Sequence, residues 1–376
     1  MTTAHVRSPC NRPLPRQADQ FDDRVVIPLL LERSAQAAGP IEKGAYFDAP
    51  DIDLGGYDRI VVCMSGGKDS LASLCRLFDM GADRSRIELW HHDVDGREGS
   101  TLMDWPFMAS YNRALAQAFD LPLYFSWLDG GFEGEMLKQD SYSRAHMVET
   151  PDGLVRLERD TARSQPGTRR RFPQQAASLQ TRWCSSALKI DVGRRALNNQ
   201  ARFDGQRVLF ITGERREESA NRARYNQLEP HACDRRQGRK ARHVDAWRPV
   251  LNWSEDQVWD ALRRHGIAAP VPYRLGWGRS SCMTCIYNSP RVWATLAHYF
   301  PERVQRIADY EREFATTISR ARIDVLEQAA RASPFEIHDA EALLQASCHD
   351  YTLPVLTSGA WKMPAGAFGA ELCGAT

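Results

Sequence analysis

Two sets of residues in this chain have the types and spacing to do chemistry. The first is Ser65-Gly66-Gly67-Lys68-Asp69-Ser70. Its paired glycines let the backbone approach a ligand with no Cβ in the way. Lys68 adds a point charge, and Ser65 and Ser70 add hydroxyl donors. A helix starting here would contribute free N–H groups and the positive end of its dipole, which suits a phosphate or pyrophosphate. The spacing is not that of the Walker loop, G-x-x-x-x-G-K-[ST]. The second set is thiol-based: Cys282-Met283-Thr284-Cys285. In a reducing compartment a Cys-x-x-Cys pair reads as a metal, iron–sulfur or redox pair rather than a structural disulfide. Soft thiolates favour iron–sulfur or zinc. Cys10, Cys63, Cys75 and Cys348 read as packing or surface thiols.

Charge is unevenly spread. The net charge is +1, yet Arg156 to Arg242 holds 21 Lys/Arg against 9 Asp/Glu, a local +12. That points to a polyanionic or multiply phosphorylated partner. It exceeds what one nucleotide needs and suits a nucleic-acid backbone, with Trp183 and Tyr225 as stacking surfaces.

Elements must position these groups. Arg59 to Met64 is β-branched and apolar, a buried strand that Ser65 interrupts. Leu71, Leu74, Leu77 and Phe78 follow at helical spacing, with Gly81 as a natural stop. Strands are predicted again at Ile87–His92, Leu121–Trp127 and Val208–Thr212, and a helix over Asp104–Phe119. Strands alternating with helices imply an α/β fold, a parallel sheet wound on both faces, with ligands at the carboxyl ends of the strands. The loops after Met64, His92 and Thr212 all lie at such ends. Residues 129–180 accumulate Gly, Pro, Ser and Arg and read as a mobile arm or lid. A long helix is predicted from Pro301 to about Ala332, and a shorter one near Glu336–Ser347. The organisation expected is an extension over 1–55, a nucleotide-binding domain over 56–290 with a basic arm at about 156–242, and a helical C-terminal region over 291–376. With 43% hydrophobic and 26% charged residues, wholesale disorder and a disulfide scaffold are excluded. No apolar run reaches the ~18 residues of a membrane span, and Met1–Arg24 lacks a signal-peptide core, so a cytoplasmic location is expected.

At these motifs the chain resembles a known family. Ser65–Ser70 after the first strand is similar to the PP-loop of the adenine nucleotide α-hydrolase superfamily. Thr212-Gly213-Glu214-Arg215-Arg216-Glu217-Glu218-Ser219 with Arg222, Arg248–Trp253 with Val258-Trp259, and Arg182-Trp183-Cys184 with Leu188-Lys189 resemble motifs of its PAPS reductase branch. The resemblance covers roughly residues 58–288. It implies a Rossmann-like sheet of the PP-loop type that binds ATP with Mg²⁺, holds the β,γ-pyrophosphate at Ser65, Gly66, Gly67, Lys68, Asp69 and Ser70, and cleaves between the α- and β-phosphates. A substrate oxygen is adenylated, and a sulfur nucleophile then displaces AMP. Lys68, Asp69 and Arg215 would be catalytic, with Asp69 holding the Mg²⁺ ion directly or through water. Gly213, Arg215, Glu218, Ser219 and Arg222 would surround the phosphates, and His92 and Asp93 the adenine or ribose.

The family also implies a four-iron cluster. Cys184, Cys282 and Cys285 match three of its ligands. Ser185 stands where a second cysteine would be, leaving Cys233 or an iron without a protein ligand for the fourth position. The tail Glu371-Leu372-Cys373-Gly374 departs from the Glu-Cys-Gly context of a reductase nucleophile. The expected function is therefore an ATP pyrophosphatase in sulfur transfer to nucleic acid, similar to the PAPS-reductase-like component of DNA phosphorothioation systems and supplied by a cysteine desulfurase or other sulfur donor. An APS/PAPS reductase, a tRNA thiolation enzyme and a non-catalytic nucleotide-sensing module are the alternatives.

Overall fold

The computed structural model describes residues 44–98, 101–176, 178–238, 241–357 and 359–369. The expected extension lies largely outside them, as does Cys373. Eight strands build one sheet: β1 (Arg59–Cys63), β2 (Ile87–Asp93), β3 (Leu123–Leu128), β4 (His146–Thr150), β5 (Gly153–Leu157), β6 (Arg207–Ile211), β7 (Leu228–Pro230) and β8 (His243–Trp247). Their order is β5-β4-β3-β2-β1-β6-β8-β7. The central run from β3 to β8 is parallel, whereas β4, β5 and β7 pair antiparallel at the two edges. The fold is α/β and Rossmann-like, with a mixed rather than purely parallel sheet.

Strand alternation divides the core in two. Ile60 and Val62 of β1, Leu89 of β2, Leu209 and Ile211 of β6 and Trp247 of β8 face one side. Against them pack α1 (Lys68–Asp79), α2 (Met108–Phe119) and α5 (Glu255–Arg264), through Leu71, Leu74, Leu115, Val258 and Leu262. Val61, Trp90, Val208, Phe210 and Val244 face the other side, against Ala196 and Leu197 of α4 (Asp191–Asn198). The sheet is thus wound on both faces. Gly81, at φ +72°, ends α1 as its sequence position predicts.

Two expectations are corrected. Residues 129–180 are not a detached arm. They contain α3 (Gly131–Met136) and the β4–β5 hairpin, which extends the sheet by pairing Val148 with Ser126. The buried Glu135 ties the following loop back, accepting hydrogen bonds from Lys138 (2.9 Å) and Arg169 (2.6 Å).

The long C-terminal helix is instead divided. Beyond α6 (Val271–Arg274) and α7 (Pro290–Tyr299), α8 (Pro301–Phe314) stops at Ala315, which takes a left-handed φ of +51°. Buried Glu311 then accepts the backbone N–H groups of Ile318 (2.8 Å) and Val325 (2.9 Å), turning the chain into α9 (Val325–Ala330); α10 (Ala340–Ala346) follows. Trp293, Leu296, Val304 and Ile307 of these helices join the same hydrophobic cluster as the first sheet face. Among the described residues no helix is long and apolar enough to cross a membrane.

Candidate active site

The Ser65–Ser70 loop joins β1 to α1 at the carboxyl end of the sheet, with Gly67 capping the helix. Two glycines here are demanded by space. Gly66 has φ +78°, and a Cβ on it would lie 2.8 Å from Met108 Sδ. Gly213, just after β6, meets the first turn of α1: a Cβ there would lie 2.8 Å from the Asp69 carbonyl. Ser65 Oγ donates to Ser70 Oγ at 3.2 Å, and Ser70 Oγ to the Gly67 carbonyl at 2.8 Å. Lys68 is 4% exposed, with its Nζ 3.2 Å from Asp69 and 3.9 Å from Glu255. Burial pulls its pKa down, but Tyr273, Asp69 and Glu255 outweigh this and hold the ammonium above its ordinary value.

Asp69 is shared. Its second oxygen accepts Arg215 Nε at 2.6 Å. Arg215 is buried and also pairs with Glu217, while its backbone N–H donates to Glu218 at 2.7 Å. Glu218 in turn pairs with Arg222. So Lys68, Asp69, Arg215 and Glu218 form a charged girder behind the loop.

In front of the loop lies a cavity of about 970 Å³. Of the residues expected at the nucleotide, Ser65, His92, Ser219 and Arg222 line it. His92 Nδ1 bonds Ser126 Oγ at 2.8 Å, and burial holds its pKa down to about 3, so the ring is neutral. Asp93 does not line the cavity; burial raises its pKa to about 6, with Arg97 3.8 Å away. The same cavity reaches Cys282.

Three thiols are grouped around Lys189 at that end. Cys184 lies in the helical turn (Trp183–Ser185) that continues through a π-turn (Ser186–Ile190) into α4. Cys282 and Cys285 flank Thr284, whose N–H and Oγ1 bond the carbonyls of Met103 (3.1 Å) and Leu102 (2.9 Å). Burial raises the Cys184 pKa to about 11, reinforced by Cys285, and raises that of Cys282 further, with Asp104 adding to it. Lys189 is open to the cavity yet enclosed by protein. Burial lowers its pKa, but Cys282, Cys184 and Asp104 reverse the shift and keep it charged.

Cys233 is not brought to this group. It packs with Val61, Trp90 and Val244 on the α4 face of the sheet, where Asn198 donates to its sulfur at 3.4 Å. Among the described residues no three His, Cys, Asp or Glu side chains converge as ligands of one metal ion. A cluster asks less of the thiols, because each thiolate binds a different iron. Cys184, Cys282 and Cys285, grouped around Lys189, would be the ligands of such a cluster; Cys233 lies apart from them.

The basic segment is also rearranged. Arg170 pairs with Glu313 (2.6 Å), Arg202 with Glu88 (2.7 Å) and Arg236 with Asp245 (2.6 Å). Trp183 is buried against Phe132, at 4.8 Å between ring centroids, and offers no stacking face. Tyr225 remains exposed on the cavity wall. The wall's cations are Arg182, Lys189, Arg194, Arg222, Arg224 and Arg248. Asp104, Glu255 and Tyr273 carry no sequence pattern that marks them; Lys189 stands in the cysteine motif, but only the fold shows it facing the thiols.

Part of the chain is similar to known proteins. Residues 154–288 match the phosphoadenosine phosphosulfate (PAPS) reductase domain. That segment is a PAPS reductase-like domain. The PAPS reductase-like segment runs from β5 through the Cys282–Cys285 loop, and Ser65–Ser70 precedes it. A stretch of 150 residues is 33% identical to an uncharacterized 37.8 kDa protein of Escherichia phage 186, covering 40% of this chain and 42% of the phage protein. The match thus spans less than half of that relative. Two structures of Candida glabrata FMN adenylyltransferase, one with FMN and the ATP analogue AMPCPP and one with FAD and pyrophosphate, align over 82% of this chain and 81% of theirs, at 12% identity and a TM-score of 0.33.

Proposed function

We propose that the protein cleaves ATP between the α- and β-phosphates, adenylates an acceptor held in the same cavity, and passes sulfur to it from the thiols at the far end. The observation that carries this reading is the continuity of the cavity: Ser65 of the PP-loop, Arg222, Lys189 and Cys282 line one space. An acceptor oxygen attacks the α-phosphorus and pyrophosphate leaves. A sulfur nucleophile then forms a bond to the activated centre, and AMP leaves with the oxygen. The loop's N–H groups, the α1 dipole and Lys68 stabilise charge on the departing pyrophosphate. Mg²⁺ is the usual companion of ATP and would neutralise phosphate charge. Asp69, already neutralised by Lys68 and Arg215, is not a free ligand for it. A bound iron–sulfur cluster would supply or relay sulfur, with Cys184, Cys282 and Cys285 as its ligands.

The acceptor in this proposal is a nucleic acid, drawn in by the cations of the cavity wall, and the sulfur comes from a cysteine desulfurase or an equivalent donor. A second reading, reduction of a sulfonucleotide, is favoured by the function named in the matched domain. Sulfite release from PAPS by the purified protein would decide for it.

Three outcomes are expected. Lys68→Ala should lower pyrophosphate release from ATP at least about a hundredfold, the loss typical of removing one transition-state donor, with circular dichroism unchanged; near-normal ATP turnover would refute the assignment. Anaerobically purified protein should contain iron and sulfide and absorb near ~400 nm, and Cys184→Ser, Cys282→Ser and Cys285→Ser should each lose that band while Cys233→Ser keeps it; iron-free protein would exclude a cluster. Finally, log K for a short duplex should fall with log salt at about −0.9 per phosphate contact. The exposed Arg194 and Arg224, replaced together by alanine, should make that slope shallower by up to about 2. A flat salt response in the wild type would remove nucleic acid as the acceptor.

A further inference from the structure

Tyr273 sits in α6, outside every motif considered above, and its side chain is buried. Its ring stands edge-on to Trp259 at 5.0 Å, and Lys68 Nζ lies 5.6 Å from the ring centroid. Its hydroxyl accepts the backbone N–H of Lys68 at 3.3 Å. The Ser280 backbone lies beside the same hydroxyl and favours its ionised form. Two loops far apart in sequence therefore meet on one oxygen. The packing agrees: a methyl group on Gly67 would lie 3.4 Å from Ser280 Cβ and 3.6 Å from the Tyr273 hydroxyl.

The second loop leads straight to the thiols. Ser280 and Ser281 precede Cys282, and all three line the cavity. Ser280 Oγ is buried there without a hydrogen-bond partner. On its other side the loop is held by Trp105, whose Nε1 donates to the Ser281 carbonyl at 2.9 Å, and by the Thr284 bonds to Leu102 and Met103. Its attachment to the PP-loop runs through Tyr273.

We infer that the Tyr273 hydroxyl couples the two ends of the cavity, so that nucleotide bound at Ser65–Ser70 orders the Gly276–Cys285 loop. A phosphate that fixes the N-terminal turn of α1 also fixes the Lys68 N–H, the hydroxyl that receives it, and through that hydroxyl the Ser280 backbone. Tyr273 is a positioning residue in this scheme and touches no reacting atom. Linkage makes the effect reciprocal: whatever orders the cysteine loop tightens nucleotide binding by the same factor. The inference rests on ATP binding at the PP-loop, as proposed above.

Hydrogen–deuterium exchange of the full chain, with and without ATP, tests it. In the wild type ATP should slow amide exchange in Ser65–Ser70 and also in Gly276–Cys285, the second by about fivefold, the effect of one net hydrogen bond. In Tyr273→Phe, which keeps the ring packing, protection of Ser65–Ser70 should persist and that of Gly276–Cys285 should be lost. ATP protecting Ser65–Ser70 alone in the wild type, or protecting both segments equally in wild type and variant, would overturn the coupling while leaving nucleotide binding intact. ATP protecting neither segment in the wild type would overturn the nucleotide reading and the coupling with it. The wild-type comparison decides the matter even if the variant folds poorly.

Discussion

The site depends on one close approach, that of Gly213 to the first turn of α1. The end of β6 comes so near the Asp69 carbonyl that a single added carbon would collide with it. This contact puts Arg215 within 2.6 Å of Asp69 and fixes the PP-loop relative to the loop after β6. Asp69 then bridges Lys68 and Arg215, and Glu255 and Glu217 balance the remaining charge, in a largely buried setting where an unpaired charge would be costly. The consequence is a rigid back wall. Ser65 lines the cavity, at the N-terminal end of α1.

Electrostatics explains why the cavity holds so much of the chain's effective positive charge. Much of the basic excess between Arg156 and Arg242 is cancelled locally, by Glu135 on Arg169, Glu313 on Arg170, Glu88 on Arg202 and Asp245 on Arg236. Arg194, Arg224 and Lys189 remain exposed along the cavity wall. Such a wall attracts an anionic ligand and keeps Lys189 charged beside the thiols. The buried carboxyl of Asp95 accepts the N–H groups of Met103 (2.9 Å) and Asp104 (2.8 Å), which organises the segment on which Thr284 rests.

Much of the frame was legible in the sequence, and the gaps have physical causes. β1, β2, β3 and β6 announce themselves because each is buried on both faces and reads as an apolar run. The edge strands β4, β5 and β7 are short and half-exposed, and β8 is disguised by His243 and Asp245. Asp245 is a buried acid that is satisfied only in the folded chain, by Tyr57 (2.8 Å), His243 (2.7 Å) and Arg236 (2.6 Å). No local pattern reveals such a network. The Ser65–Ser70 loop and the Cys282–Cys285 pair were readable from type and spacing, and Gly213 and Cys184 from the resemblance to the PAPS reductase branch. The inward turn of Trp183, the isolation of Cys233 and the clasp at Tyr273 arise from contacts between distant segments, which spacing does not encode.

The central claim is that nucleotide and thiols share one cavity. A crystal structure with a non-hydrolysable ATP analogue tests it most directly. The account predicts the β- and γ-phosphates on the N–H groups of Ser65–Ser70, the adenine near His92, and the α-phosphate facing the chamber that ends at Cys282. An analogue bound elsewhere on the sheet, or one whose α-phosphate is walled off from Cys282 by protein, would contradict it.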